Sequence, residues 1–433
     1  MDCASTWSAA RPRPWHQADR VSARLTEAES KPGFARALRS RNYRLFFAGQ
    51  LVSLIGTWMQ SVAQSWLVYR LTGSTALLGM IGFTGQIPVL FLAPFGGAIA
   101  DRASRRTVLL FTQSTQMMLA LTLAALTLSG HVRVPHLFVL AACLGIANAI
   151  DIPTRQAFVV EMVGHADLPN AIALNSSMVN GARMLGPAIA GLVVAAVGEG
   201  FCFLANGVSF LAVLAGLFAM TGLVSPPKRA PKSPLREIVE GFSFVGRHAR
   251  IRTLLLLLGT ISLFGMPFVV LLPVYADKIL GGGARTLGLL TGASGVGAIT
   301  GALMLARQRR TAGMERWIAI GAFTFGTSLV AFAFSRVFLL SALLLAIGGA
   351  SMMIQIAGSN TLIQTMVPDN LRGRVMSVHS MMFLGMSPFG ALASGALAAR
   401  IGTPITIALG GTVCAIGAGG FALYVWARPF AVE

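Results

Sequence analysis

At 433 residues the chain is long enough for two or three soluble domains, yet 55% of it is hydrophobic, only 11% is charged, and its mean hydropathy is +0.71. That balance excludes water as its main solvent. A net charge of +19 invites a nucleic-acid reading, but the basic residues are dispersed along loops without a nucleic-acid motif, so no nucleic-acid partner is expected.

Residues 1–40 are polar and Arg-rich and contain Pro12, Pro14 and Pro32, which predicts a disordered cytoplasmic tail rather than a cleaved signal. The stretch GFARALRSRNY, residues 33–43, is compatible with a short amphipathic surface helix leading into the first span. Beyond it, apolar runs long enough to cross ~30 Å of hydrocarbon recur with short polar breaks. They place spans near 45–69, 76–100, 107–129, 136–157, 171–197, 201–222, 252–276, 286–306, 317–334, 337–364, 375–399 and 404–426. The expected fold is an all-α polytopic membrane protein of twelve transmembrane helices. The longest break, basic and Pro-rich, defines a cytoplasmic linker at 223–251 between six-helix halves at 41–222 and 252–433.

Basic residues near span ends stay on the cytoplasmic side. With the amino terminus inside, all but seven of the 34 Lys and Arg fall on cytoplasmic segments; six lie outside and Arg183 lies within a span. Both termini are therefore expected in the cytoplasm, and the protein in the bacterial inner (plasma) membrane.

The first span has a polar face, because Gln50, Ser53, Thr57, Gln60, Ser61 and Gln64 fall within about 100° of arc at 3.6 residues per turn. Such groups avoid lipid, so they either line a water-filled cavity or bond a neighbouring helix. At the end of the second span lies GAIADRASRR, residues 97–106, with Gly97, Asp101, Arg102, Arg105 and Arg106. A carboxylate at its own helix C-terminus is unfavourable. Asp101 is thus expected to seek the start of span eleven near Gly373 and latch the halves together; a solvated loop charge is the alternative. In span four, Asp151 lies close to the middle of the hydrocarbon, with Arg155 and Glu161 following; Arg183 is near the middle of span five. The expectation is an Asp151–Arg183 pair that couples protons to transport, with Arg155 or Glu161 as alternative partners. Gly186, Pro187 and Gly191 put small residues and a bend in span five, or serve only its packing.

The halves read as a parallel repeat. Gly97, Arg105 and Arg106 recur as Gly301, Arg309 and Arg310; Met162 and Val163 recur as Met366 and Val367; Ser176 and Pro187 recur as Ser377 and Pro388. Sliding the polar face of span one by 204 residues, the offset of the first two matches, lands on Leu254, Leu257, Ile261, Phe264, Gly265 and Phe268, so the cavity is expected to be lopsided.

The loop motif at 97–106 resembles that of the major facilitator superfamily, with Ser104 where a second glycine is usual. The stretches RNYRLFFAGQLVSLIGTWMQ, DIPTRQAF, ARMLGPAIAG and VPDNLRGRVMS resemble the branch containing enterobactin-type siderophore exporters, and 186–191 resembles the antiporter motif. The resemblance implies a secondary transporter working by alternating access: a proton-coupled exporter of an amphipathic small molecule, functional as a monomer in the bilayer. An importer or lysophospholipid flippase on the same scaffold, and a transport-dead sensor, are the alternatives. No nucleotide-binding loop, metal cluster or nucleophile set is present in the sequence, so neither a cofactor nor an enzyme is expected.

Overall fold

The computed structural model describes residues 36–222, 234–308 and 313–427. Most of the expected tail, the first part of the linker, Arg309, Arg310 and Arg428 lie outside the described residues.

Twelve helices follow the hydropathy pattern in order: α1 Arg41–Thr72, α2 Thr75–Arg102, α3 Arg105–Leu128, α4 Val134–Gly164, α5 Ala166–Val197, α6 Glu199–Ala219, α7 Ala249–Ile279, α8 Gly283–Arg307, α9 Met314–Phe334, α10 Phe338–Met366, α11 Leu371–Ile401 and α12 Thr403–Ala427. Most run a few residues past the hydropathy boundaries, because capping chemistry and not apolarity ends them. Ser40 caps α1 by accepting from the Tyr43 amide, and Ser74 caps α2 by accepting from the Leu77 amide. The joint between α4 and α5 is Gly164, whose φ of 71° puts it outside helical geometry. Gly198 between α5 and α6 and Gly402 between α11 and α12 make matching joints at φ 91° and 88°, so the sequence repeat is also a geometric one.

The surface helix considered for 33–43 does not form over its described part. Arg36–Arg39 makes one 3-10 turn, and α1 starts directly after Ser40. This segment is tied to the start of α5: Arg36 pairs with Asp167 at 2.6 Å, the Ala37 amide donates to the Asn170 side chain, and the Tyr43 hydroxyl donates to the Ala171 carbonyl. Those bonds hold it against the start of α5. The linker contains a helix, Pro234–Arg247, docked on α11 through Glu240–Arg374 at 2.7 Å, with Gly241 against the Arg374 carbonyl.

The halves meet through two helix pairs, α5 on α8 and α2 on α11, and both contacts rest on glycine. A Cβ at Gly288 would stand 2.6 Å from the Gly191 Cα and 2.6 Å from the Pro187 carbonyl oxygen; one at Gly395 would stand 2.8 Å from the Gly79 Cα. Removing Cβ lets backbones approach closely enough for dispersion to hold them where lipid gives no hydrophobic drive. These contacts lie toward the face opposite the one where α1 begins and α12 ends. There Tyr69 of α1 also donates to Asp277 of α7 at 2.7 Å. Toward the terminal face the partners separate, and a Cβ at Gly97, Gly181 or Gly373 would meet no atom within 4 Å. The molecule is closed on one face and open on the other.

Gly288→Val should force α5 and α8 apart, since a β-branched side chain has no room against Gly191. Spin labels at Val197→Cys and Arg285→Cys, with the native cysteines replaced, are expected to report a longer mean distance in the variant. An unchanged distance distribution would show that the glycine contact does not close this face.

Candidate functional site

The polar face of α1 divides in two. Thr57, Gln60 and Gln64, with Ser61, line a cavity of about 290 Å³ running from the middle of the bundle toward the closed face. Gln86 of α2, Gln116 of α3, Asn148 of α4 and Asn206 of α6 complete its polar wall, and every lining residue except Val270 belongs to the first half. The cavity is lopsided because the corresponding face of α7 is spent on packing: Leu254, Leu257, Ile261 and Phe268 are buried in the hydrophobic core. Gln50 and Ser53, also expected in the cavity wall, are not among its lining residues. Ser53 is buried with its carbonyl accepting from Thr57, and Gln50 accepts from Arg155 at 3.1 Å. They lie one to two turns nearer the terminal face, where α1 packs on the other helices of its half.

Within the cavity Gln60 accepts from the Asn206 amide at 2.7 Å, and the Gln116 amide reaches Asn148 at 3.4 Å. From Asn148 the polar groups continue along α4. Asp151, 1% exposed, accepts from Thr112 at 2.9 Å and Gln113 at 2.8 Å, and Arg155 approaches its second oxygen at 3.4 Å. An isolated charge at this depth costs about 2.5–3.5 kcal/mol on insertion scales, so a carboxylate there requires such partners.

Arg183 is not the partner of Asp151. Asp151 faces α3, whereas the Arg183 guanidinium lies over the Trp58 ring of α1, 5.7 Å from its centroid. Depth along a span follows from sequence, but the rotation of each helix about its axis depends on packing, and here it turns the two residues toward different neighbours. The alternative partner, Arg155, occupies the place. Thr112, Gln113 and Gln116 were not singled out, although their spacing already puts them on one face of α3. Gln86 gave no periodic signal, being a single polar residue on its face, whereas Asn206 shares its face of α6 with Ser209, one turn on, which donates to it.

Gly97 is open, and the Asp101 side chain is 63% exposed with Arg105, one turn on, 3.5 Å away. Among the described residues Asp101 makes no contact with the start of α11 in this conformation, because the halves part on this face. Arg105 instead bonds Glu161 at 3.0 Å and the carbonyls of Ala100 and Ala157, and Arg106 donates to the Phe218 carbonyl at 3.0 Å. These basic residues sew the α2–α3 loop to α4 and α6; Arg102 is exposed. In α5, Gly186 lies against Trp58 and Gly191 against Gly288, so both serve close packing. No helix break occurs at Pro187: Gly164 is the residue that leaves helical geometry between 134 and 197.

Two six-helix halves, closed on one face around a polar cavity with charged residues inside the spans, define a transporter of the major facilitator type. The chain belongs to the transmembrane secretion effector family, whose profile matches residues 33–431. It is 28% identical to the staphyloferrin A transporter of Staphylococcus aureus over 86% of this chain and 94% of that protein. It is 25% identical to the enterobactin exporter of Shigella boydii over 84% and 87%. A POT family transporter solved in complex with 5-aminolevulinic acid superposes with a TM-score of 0.72 at 11% identity, covering 90% of this chain and 97% of that one, a likeness of fold. The protein is a membrane transporter and not an enzyme.

The two glutamines should separate experimentally. Gln60→Leu leaves the Asn206 amide buried without its acceptor, at a cost of about 1–3 kcal/mol. It is expected to lower the melting temperature of the purified protein by a few degrees, and Gln60→Leu with Asn206→Leu should recover most of that loss. Gln64, half-buried in the cavity wall, has no protein hydrogen bond among the described residues, so Gln64→Leu should leave the melting temperature unchanged. Equal destabilisation by the two single substitutions would contradict this assignment.

Proposed function

We propose that the protein is a proton-coupled secondary exporter of an amphipathic small molecule, acting as a monomer in the bacterial plasma membrane with both termini cytoplasmic. The observation that carries this reading is the polar spine running from the cavity through Gln116, Asn148, Gln113 and Asp151 to Arg155 and Gln50. Ionisable residues inside spans are costly, and they mark substrate or proton routes unless they are only structural. Export is supported by membership of a secretion effector family and by the likeness to the enterobactin exporter. The bias of Lys and Arg supports the orientation. In that orientation the open face is cytoplasmic, so the conformation described is the one that loads cargo from inside the cell.

In this mechanism the halves rock about the glycine contacts, exposing the cavity alternately to each side. Asp151 is the proton-carrying group and Arg155 its movable counter-ion. While Arg155 stays at 3.4 Å the carboxylate is compensated; when the rearrangement draws Arg155 away, a proton is the cheapest neutralisation of a buried carboxylate. Asp101, freed here, docks on the other half when the cytoplasmic face closes.

The test is uptake into inside-out proteoliposomes from a mixed small-molecule extract, read by mass spectrometry with and without a pH gradient. At least one solute should accumulate only when the gradient is present. Asp151→Asn, inserted normally, should keep gradient-free exchange of that solute and lose accumulation. Accumulation by the variant at the wild-type level would make Asp151 structural, and movement of no solute by wild type would refute the transport reading.

A further inference from the structure

Arg183 is the charge that the network leaves unused. Arg105, Arg155 and Arg70 each have a carboxylate within 4 Å, whereas among the described residues Arg183 has neither an ion-pair partner nor a side-chain hydrogen bond. It lies 14 residues from the end of α5 at Val197, about 21 Å at 1.5 Å per residue, which is deep in the bundle. The ring that lies under its guanidinium, Trp58, offers a π face but no negative charge.

A polar stripe leads along α5 to this cation, and the helix that faces it, α1, also lines the cavity. Ser176, Asn180 and Arg183 lie within about 60° of arc on α5. Ser176 is exposed, and the Asn180 amide folds back onto the Ser176 carbonyl at 2.8 Å, so the guanidinium is the charged end of that stripe. On α1, Trp58 is flanked in the chain by Thr57, Gln60 and Ser61, which line the cavity, while Trp58 itself turns toward α5. No Asp or Glu is among the lining residues; the polar wall is carboxamide and hydroxyl, able to donate and accept but not to compensate a cation.

We infer that Arg183 binds the acidic group of the cargo, and that the exported molecule is an amphipathic organic anion bearing a carboxylate. The guanidinium takes the carboxylate as a two-pronged hydrogen-bonded pair, Trp58 packs against the adjoining apolar part, and the amides of Gln64, Gln86 and Asn148 satisfy the cargo's remaining polar groups. Loading removes an uncompensated charge from the middle of the membrane, so the loaded carrier is close to neutral at this site when it reorients. A neutral molecule of the same shape leaves the cation bare and is discriminated against.

This inference rests on the transport reading for its meaning, but its test does not require flux. Binding of N-dansylglycine and of its neutral isostere N-dansylglycinamide to the purified full-length protein is measured by dansyl fluorescence, with protein-free micelles subtracted. Wild type is expected to bind the carboxylate at least about tenfold more tightly than the amide, a difference typical of one charge-assisted contact. Arg183→Gln should reduce that preference to less than about twofold while binding the amide as wild type does, and Arg183→Lys should retain a preference between the two. An unaltered preference in Arg183→Gln, or equal or absent binding of the two probes by wild type, overturns the inference. Should Arg183→Gln fail to fold, the wild-type and Arg183→Lys measurements decide. Preferential anion binding by a protein that moves no solute in liposomes would refute the transport reading and leave this one standing.

Discussion

In hydrocarbon a polar group without a partner costs several kcal/mol, and no water is present to share the cost. The first half of this protein is organised by that constraint. Gln60 needs Asn206; Asp151 needs Thr112, Gln113 and Arg155; Arg155 in turn reaches Gln50. Each of these bonds joins different helices, α1 to α6, α3 to α4 and α4 to α1, or secures a charge within one. The same bonds that keep charged residues tolerable inside the membrane therefore hold four of the spans, α1, α3, α4 and α6, in fixed rotation around the cavity.

The second half keeps its buried polar groups, Gln355 and Ser359 of α10 among them, off the cavity wall. Its corresponding helix, α7, buries leucine, isoleucine and phenylalanine and contributes Val270 alone to the cavity wall. This division gives the halves different tasks within a symmetric frame. Apart from the Tyr69–Asp277 hydrogen bond and the Phe83–Phe389 ring contact, their mutual contacts set glycine against glycine, Gly191 on Gly288 and Gly79 on Gly395. Such an interface carries no desolvation penalty when it opens. A wall of interlocked amides would not part as readily.

Span number, order and depth were legible because hydrophobic length reports them directly, and the polar face of α1 was legible because its residues keep a 3.6-residue period. Which end of that face opens on the cavity was not, since Gln50 and Gln64 share one stripe and differ only in what packs opposite them. The Asp151–Arg183 expectation failed for the same reason: two residues at similar depth on adjacent spans are neighbours only if both helices are turned toward each other, and their rotation is decided by Trp58, Thr112 and Gln113. Glycine contacts between α5 and α8 left a trace in the small residues at 186–191, but their partner on α8 is one glycine among six in that helix. Sequence spacing alone could not select it.

α1 brings the separate parts into one mechanical element. It is a continuous helix of 32 residues. Gln50 receives the Arg155 bond near one end, Trp58 lies beneath Arg183, Thr57, Gln60 and Gln64 face the cavity, and Tyr69 crosses to Asp277 on the other half. From Gln50 to Tyr69 is about 28 Å at 1.5 Å per residue, most of the membrane thickness. A helix with its ladder intact resists bending, so tilting α1 to release Tyr69 from Asp277 also displaces Gln50 relative to Arg155, and rotating it alters the seat of Arg183. A ligand that holds Trp58 and Gln64 biases both ends at once. Charge network, cavity and closed face are thus joined by a shared rigid helix, and the coupling between them needs no chain of side-chain rearrangements across the bundle.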